Sequence, residues 1–295
     1  MRIYLEAIMD IEFYPVILIY NSDIESSVSY NNLSKIGKMC ITILDNSDDE
    51  NVKKNNLERS QLLDIKYIPM NGNVGLSKAY NRFLDSFKEK TENKIIIWLD
   101  DDTAISEEYF FELKEILKKK VDIMAPIILG QDGRIWSPNS DRYIKNKQLR
   151  NVNDKVDLNR FNAINSCTAV RSTVYKDYRY DERLFLDQVD HLFFYEQRKL
   201  NRNFFQMGTI IKHNFAMKER NQNFNSVKRR YSIMIPDFIM YGRIRKYNPI
   251  LIYLKILGWA VREMINTREL KTFFWILRKA VNTVSKEDYS AKKLS

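Results

Sequence analysis

The chain has 295 residues, with 48 Lys and Arg against 38 Asp and Glu, a formal net charge of +10. Hydrophobic residues make up 44%, aromatics 13%, and glycine only 8 positions, which excludes a collagen-like or low-complexity chain and argues against wholesale disorder. Two cysteines, Cys40 and Cys167, and two histidines leave no room for a disulfide framework, a four-cysteine metal site or a histidine-rich one.

Residues 14–20 (YPVILIY) predict a short buried strand ending at Asn21 and Ser22, then a polar helical stretch through Lys35. Residues 40–44 predict a second strand, closed by Asp45, Asn46 and Ser47, and residues 65–69 a third. Within residues 75–88, Leu76, Tyr80, Phe83, Leu84 and Phe87 recur at a helical period. Residues 94–99 (KIIIWL) form a fourth strand that runs into Asp100-Asp101-Asp102. A helix follows over 106–118, with Ser106 as N-cap and Glu107 and Glu108 in its first turn. Residues 121–128 make a fifth strand, and 130–157 read as loops or an excursion. Residues 161–170 are strand-like, 180–200 hold an acidic segment and then a helix, and 209–211 form a short strand before Lys212 and His213. Beyond Asn225 the pattern is helical, broken at Pro236 and near Pro249.

Strands alternating with helices predict an α/β fold with a mostly parallel central sheet. Ligands of such sheets sit beyond the carboxyl ends of the strands. Asn21, Asp45-Asn46-Ser47 and Asp100-Asp101-Asp102 all fall at such ends.

The charge is unevenly placed. Residues 226–295 hold 15 Lys and Arg against 5 Asp and Glu, which leaves the first 225 residues balanced. That tail points to a polyanionic surface, and its interleaved aromatics and aliphatics favour an anionic membrane over nucleic acid. Its apolar faces serve equally well as contacts with the rest of the chain or with a second subunit in a homo-oligomer. The longest apolar stretch, residues 250–261, is interrupted by Lys255 and falls short of the roughly 20 apolar residues a membrane span needs. Residues 1–10 carry Glu6 and Asp10 and lack the pattern of a signal peptide, so a cytoplasmic setting is expected.

Three clusters carry chemistry. The carboxylates at 100–102 are hard oxygen ligands suited to Mg²⁺ or Mn²⁺ shared with substrate phosphates, or else an acidic start to the next helix. Residues 71–77 (NGNVGLS) form a tight loop before a helix, and its free N–H groups favour anions. Asp187 and Asp190, set among apolar residues, could hold a general base, or simply be helix N-terminal acids. A lone His213 is more often structural than a ligand.

In order, these pieces resemble family 2 glycosyltransferases, inverting enzymes with a GT-A fold, and within them the bacterial rhamnosyltransferase and galactofuranosyltransferase branch. The carriers are Tyr20-Asn21, Asp45-Asn46-Ser47, Asn73-Val74-Gly75 with Ala79-Tyr80-Asn81, Leu99 to Asp102, Phe185 to Asp190, His213 and Arg229-Arg230-Tyr231. The resemblance covers roughly residues 14–250. It implies a GT-A-like domain over 1–225 and a basic, aromatic helical region over 226–295. It implies that Asp45 and Asn46 contact the nucleotide beside Asn21, and that Asn73 and Gly75 line the donor loop. Asp100 and Asp102 match the outer positions of the DXD motif, with Asp101 between them at the donor site and His213 completing a divalent metal site. Asp190 matches the catalytic base, with Asp187 beside it. The implied donor is a UDP- or dTDP-linked sugar. The implied acceptor is a glycan or polyprenyl-linked saccharide at the inner face of a bacterial membrane, bound for a capsule, O-antigen or cell-wall polymer. The chain departs from the family pattern at Leu192, where an acidic residue is common, and at Ser166-Cys167, where Ser-Gly is common. A nucleotidyltransferase and a non-catalytic binding homologue are the alternatives.

Overall fold

The computed structural model describes residues 11–37, 39–143, 146–213 and 223–293, with the side chains of His213 and of residues 285–293 outside the description. Its strands are β1 (Glu12–Ile19), β2 (Thr42–Asp45), β3 (Lys66–Pro69), β4 (Lys94–Asp100), β5 (Ile123–Gly130), β6 (Ile135–Ser137), β7 (Asn139–Ser140), β8 (Lys147–Gln148), β9 (Phe161–Asn162), β10 (Ala169–Arg171) and β11 (Phe204–His213). Its helices are α1 (Val28–Ile36), α2 (Glu50–Leu62), α3 (Leu76–Ser86), α4 (Glu107–Leu117), α5 (Val189–Lys199), α6 (Phe224–Ile244), α7 (Pro249–Thr267) and α8 (Leu270–Lys293).

The main sheet has the order β11-β5-β10-β4-β1-β2-β3, and β6 pairs with β5. All neighbours on this path are parallel except β10, which runs antiparallel to both β4 and β5. A small second sheet has the order β8-β7-β9. The central strands read as continuous apolar runs because both of their faces are covered. In β4, Ile95, Ile97 and Leu99 join α1 and α4 in one cluster, while Ile96 and Trp98 join α3, α5 and α6 in another. Register aligns the strand tips at one edge: Ile19 lies opposite Asp45, and Leu18 opposite Asp100.

Several elements differ from expectation. α2 has almost no apolar stripe and buries only Asn56 and Ser60, so it escapes a search for hydrophobic period; Asp49 caps it instead, accepting from Asn51 N and Val52 N. Residues 130–157 are not all loop, since β6, β7 and β8 fall among them. The strand expected over 209–211 runs the full length of β11, and Ser106 precedes α4 without a side-chain capping bond. α6 is not broken at Pro236. An interior proline costs a helix about 3 kcal/mol. Here Tyr231, Met234 and Ile235 before it and Phe238 and Ile239 after it are all buried in the core, which outweighs the loss. Pro249, by contrast, opens α7 at a first-turn position.

The cluster that holds α6 also holds Trp98, Tyr175 and Phe193, so the hydrophobic core continues across residue 225. No helix among the described residues is long and apolar enough to cross a membrane.

Candidate active site

The tips of β1, β2 and β3 are laced together by side-chain amides and carboxylates. Asn21, at φ +50°, accepts from Asp48 N at 3.0 Å and Asp49 N at 3.1 Å, and its own N–H reaches Ser47 Oγ at 2.8 Å. Asn46 Nδ2 donates to Asn73 Oδ1 at 2.9 Å, while Asn46 Oδ1 accepts from Val74 N at 2.9 Å. Asp48 takes Asn73 N at 2.8 Å and the Tyr20 hydroxyl at 2.8 Å. The Asn73 N–H and that phenol hold the Asp48 carboxyl below its ordinary range. Asp45 is different: it is fully buried, and its carboxylate accepts from Ser47 N, Asn56 Nδ2 and the Tyr67 hydroxyl at 2.7–3.0 Å. Its side chain braces the loop from beneath, whereas Tyr20 and Asp48 stand exposed at the rim. Sequence reasoning passed over Asp48, although it directly follows the Asp45-Asn46-Ser47 cluster.

The tip of β4 is held by α1. Ser29 Oγ bonds the carbonyls of Asp100 and Thr103 and accepts from Thr103 N. Ser27 Oγ bonds the Asp101 carbonyl, and Ser22 Oγ donates to the Asp101 carboxylate at 2.9 Å. Asp100 is half-buried and Asp102 exposed. Thr103 Oγ1 meets Ser166 Oγ at 2.8 Å, which ties the acidic turn to the segment before β10.

α3 joins this cradle to the acidic segment. Gly75 sits at φ +85°, and a Cβ there would fall 2.6 Å from the Phe185 carbonyl oxygen. The same carbonyl accepts from Leu76 N at 2.6 Å, and Ser77 Oγ bonds the Leu184 carbonyl at 2.6 Å. One turn on, Asn81 clasps Tyr180 through both backbone groups, each at 2.9 Å.

From the other side α6 holds the same segment. The buried Asp237 carboxylate accepts from the backbone N–H groups of Phe185, Leu186 and Asp187 at 2.7–2.9 Å. Arg230 forks onto Asp187 with both terminal nitrogens. Asp187 is therefore held in a two-pronged ion pair with Arg230. Asp237 was legible only as a lone acid in a basic, apolar helix; its three partners lie 50 to 52 residues away.

Asp190 lies in the first turn of α5, after Gln188 at φ +65°. Burial raises its carboxyl above the ordinary range; neighbouring His191 and the N–H groups of Asp190 and Asn165 oppose that shift, and Asp187 adds to it. Tyr80 is packed beneath, fully enclosed. Its phenol is pushed well up by burial first, then by the Asp100 and Asp190 carboxylates. The carboxylates of β4 and α5 thus act on one buried phenol. Asn165 is buried beside Tyr80 and Asp190, and neither polar atom of its side chain meets hydrogen-bond geometry with any described residue.

No group of three or more His, Cys, Asp or Glu side chains among the described residues converges on a cation position. Asp100 and Asp102 nevertheless fit an ion shared with phosphates, since Mg²⁺ usually takes one or two carboxylates and completes its shell with substrate oxygens and water. His213 ends β11 opposite Gly130, and its side chain lies outside the described residues.

The family model described as Glycosyl transferase family 2 matches residues 28–179. GalNAc-T7, solved with UDP, GalNAc and Mn²⁺, is 14% identical over 75% of this chain, with a TM-score of 0.51. The chain spans about half of that protein, 48% of its length. S. aureus TarS residues 1–349 are 17% identical over 90% of this chain and 71% of that one, with a TM-score of 0.48. The UDP complex of the same fragment is 13% identical over 97% and 92%, at 0.49. No curated protein matches the sequence.

Proposed function

The chain belongs to glycosyl transferase family 2, and from that membership we propose an inverting transfer of a sugar from a nucleotide-diphosphate donor to a glycan or polyprenyl-linked saccharide. The observation that carries the proposal is that two acidic clusters, from β4 and from α5, meet at Tyr80. Asp190 in the first turn of α5 and Asp100 at the tip of β4 both lie close enough to the buried Tyr80 phenol for their charge to push it up. In this reading Asp190 accepts the proton of the acceptor hydroxyl as its oxygen attacks the anomeric carbon. The bond from that carbon to the diphosphate oxygen breaks on the opposite face, and one displacement inverts the centre. Asp187 and Asp237 position the base; Asn46, Asn73 and Asp48 shape the nucleotide cradle. Asp100 and Asp102 would hold Mn²⁺ or Mg²⁺, which when bound neutralises charge on the leaving diphosphate. GalNAc-T7 was solved with UDP and Mn²⁺, which is in keeping with a UDP-linked donor here; a dTDP-linked donor rests on the order of motifs alone. The order of motifs favours rhamnose or galactofuranose as the sugar.

A peripheral position on an anionic membrane is part of the proposal. Ile250, Leu254, Leu257, Val261 and Ile265 form an exposed stripe along α7, with Ile250 67% and Ile265 65% exposed. Lys255, Arg262 and Arg268 flank the stripe in sequence, the composition of an interfacial helix.

A thermal-shift panel of nucleotide diphosphates and their sugars, with and without Mn²⁺, tests the core of this reading. A metal-dependent rise with UDP or dTDP compounds is expected, lost in Asp102→Ala. No shift with any nucleotide, in folded protein, would replace it with a non-catalytic homologue. Release of pyrophosphate from a nucleoside triphosphate would replace it with a nucleotidyltransferase.

A further inference from the structure

Away from the strand tips, between the small sheet and the far ends of α5 and α6, lies a cleft of about 460 Å³. Arg142, Arg160, Arg198, Lys199 and Arg245 line it against the single carboxylate of Asp141, with Tyr195 in its wall. The floor is a built structure. Arg198 and Arg245, with side chains 11% and 10% exposed, both bring guanidinium nitrogens to the same Oδ2 atom of Asp141, itself 8% exposed. The Arg245 guanidinium also lies 3.7 Å over the Tyr195 ring. Two permanent cations thus share one buried anion, and the excess positive charge sits where desolvation makes it costly.

Neutralising the α5 dipole does not account for Arg198, because its N–H groups go to the Phe161 carbonyl and Asp141 rather than to the carbonyls that end α5. Arg142, Arg160 and Lys199 stand exposed above the floor. Several arginine forks facing one small space match the oxygens of a phosphate better than a neutral sugar.

The cleft has a definite relation to the proposed base. Tyr195, Arg198 and Lys199 follow Asp190 along α5, which sets them roughly 7–14 Å down the helix axis. Asn146, on the same excursion as Arg142, brings Nδ2 to 3.4 Å from Nδ1 of His191, the residue after Asp190. None of the cradle residues at the tips of β1, β2 and β4 lines the cleft, so the donor diphosphate has its place elsewhere.

We infer that this cleft binds a phosphate or diphosphate ester carried by the acceptor and so sets which hydroxyl reaches Asp190. The inference rests on the transferase reading above. The ester has two sources with the same chemistry, a polyprenyl diphosphate in the membrane or a soluble phosphate-bearing glycan.

The test uses the full chain. Inorganic pyrophosphate is titrated in EDTA by calorimetry, and UDP with Mn²⁺ is titrated in parallel. Arg142→Glu with Arg160→Glu alters exposed side chains and spares the buried trio. Wild type is expected to bind pyrophosphate without metal, and the double variant to bind it about a hundredfold more weakly, the loss of two charge-assisted contacts. Both should bind UDP with Mn²⁺ alike, while Asp102→Ala should keep pyrophosphate binding and lose the UDP response. Absent pyrophosphate binding, or binding unchanged in the double variant, overturns the site. Failure of wild type to bind any nucleotide sinks the transferase reading, and with it the link to an acceptor, while the pyrophosphate comparison still judges the cleft. Phosphatidylcholine vesicles carrying a polyprenyl diphosphate separate the sources. Co-sedimentation that depends on Arg142 and Arg160 assigns a lipid-borne ester; pyrophosphate binding without co-sedimentation assigns a soluble one.

Discussion

Gly75→Ala tests whether the loop at residues 73–75 and the segment before the proposed base are one mechanical unit. Gly75 has φ +85° and ψ 169°, a region that side-chain-bearing residues adopt at a cost of about 1–3 kcal/mol. The new Cβ would meet the Phe185 carbonyl oxygen at 2.6 Å and its ring at 2.7 Å. The carbonyl is backbone and is anchored by Leu76 N at 2.6 Å, so it cannot swing away as a flexible side chain would. Overpacking of this kind costs a further 1–3 kcal/mol or about that. The expected loss is therefore about 2–6 kcal/mol. At a urea m value of about 3 kcal/mol per M, the midpoint should fall by about 0.7–2 M. Relief of the clash must push residues 184–187 away from α3, so sugar transfer should fall more steeply than stability alone explains in protein still folded at the assay temperature. A midpoint within about 0.2 M of wild type, with unchanged transfer, would refute the reasoning.

Asp190→Asn should abolish transfer and leave nucleotide binding intact, and it should stabilise the chain at neutral pH. The Asp190 carboxyl is held above its ordinary 3.8, so the native chain keeps a proton that the unfolded chain has released. Its contribution to stability is full below that ordinary value and is lost as pH rises through the raised one. Thermal melts against pH check this, as does a transfer rate that falls on acidification with a midpoint above 3.8. Asp237→Asn keeps one oxygen but turns an NH2 group toward a backbone N–H, and should cost about 1–3 kcal/mol in denaturant melts; no measurable cost would show that relieving the burial that raises the Asp237 carboxyl makes up for the lost bond. A double-mutant cycle of Asp187→Ala and Arg230→Ala should give a coupling of about 1–2 kcal/mol, with transfer reduced and UDP binding unchanged. No coupling would make Arg230 a surface charge.

Legibility followed the range of the interactions concerned. β4 announces itself because two buried faces require an unbroken apolar run, and α3 because one buried face requires a helical stripe. α2 stayed hidden because capping and two small buried polar residues hold it, with little apolar contrast to detect. The continuation of α6 through Pro236 was hidden for the opposite reason: local propensity forbids it, and the core overrides local propensity.

At the site, the residue types were readable and the division of labour was not. A run of Asp at a strand tip is visible in one dimension, but the burial of Asp45 against Asn56 and Tyr67 is not. Neither is the capture of Asp187 by Arg230, 43 residues away. The amino-acid sequence by itself determined the alternating elements, the clustering of acids at strand ends and the basic tail, because these arise from period, composition and order. Only the tertiary structure decided which acid braces, which is clamped and which keeps a raised carboxyl. Burial and partnership belong to groups brought together across the sheet and α6, and no local pattern encodes those distances.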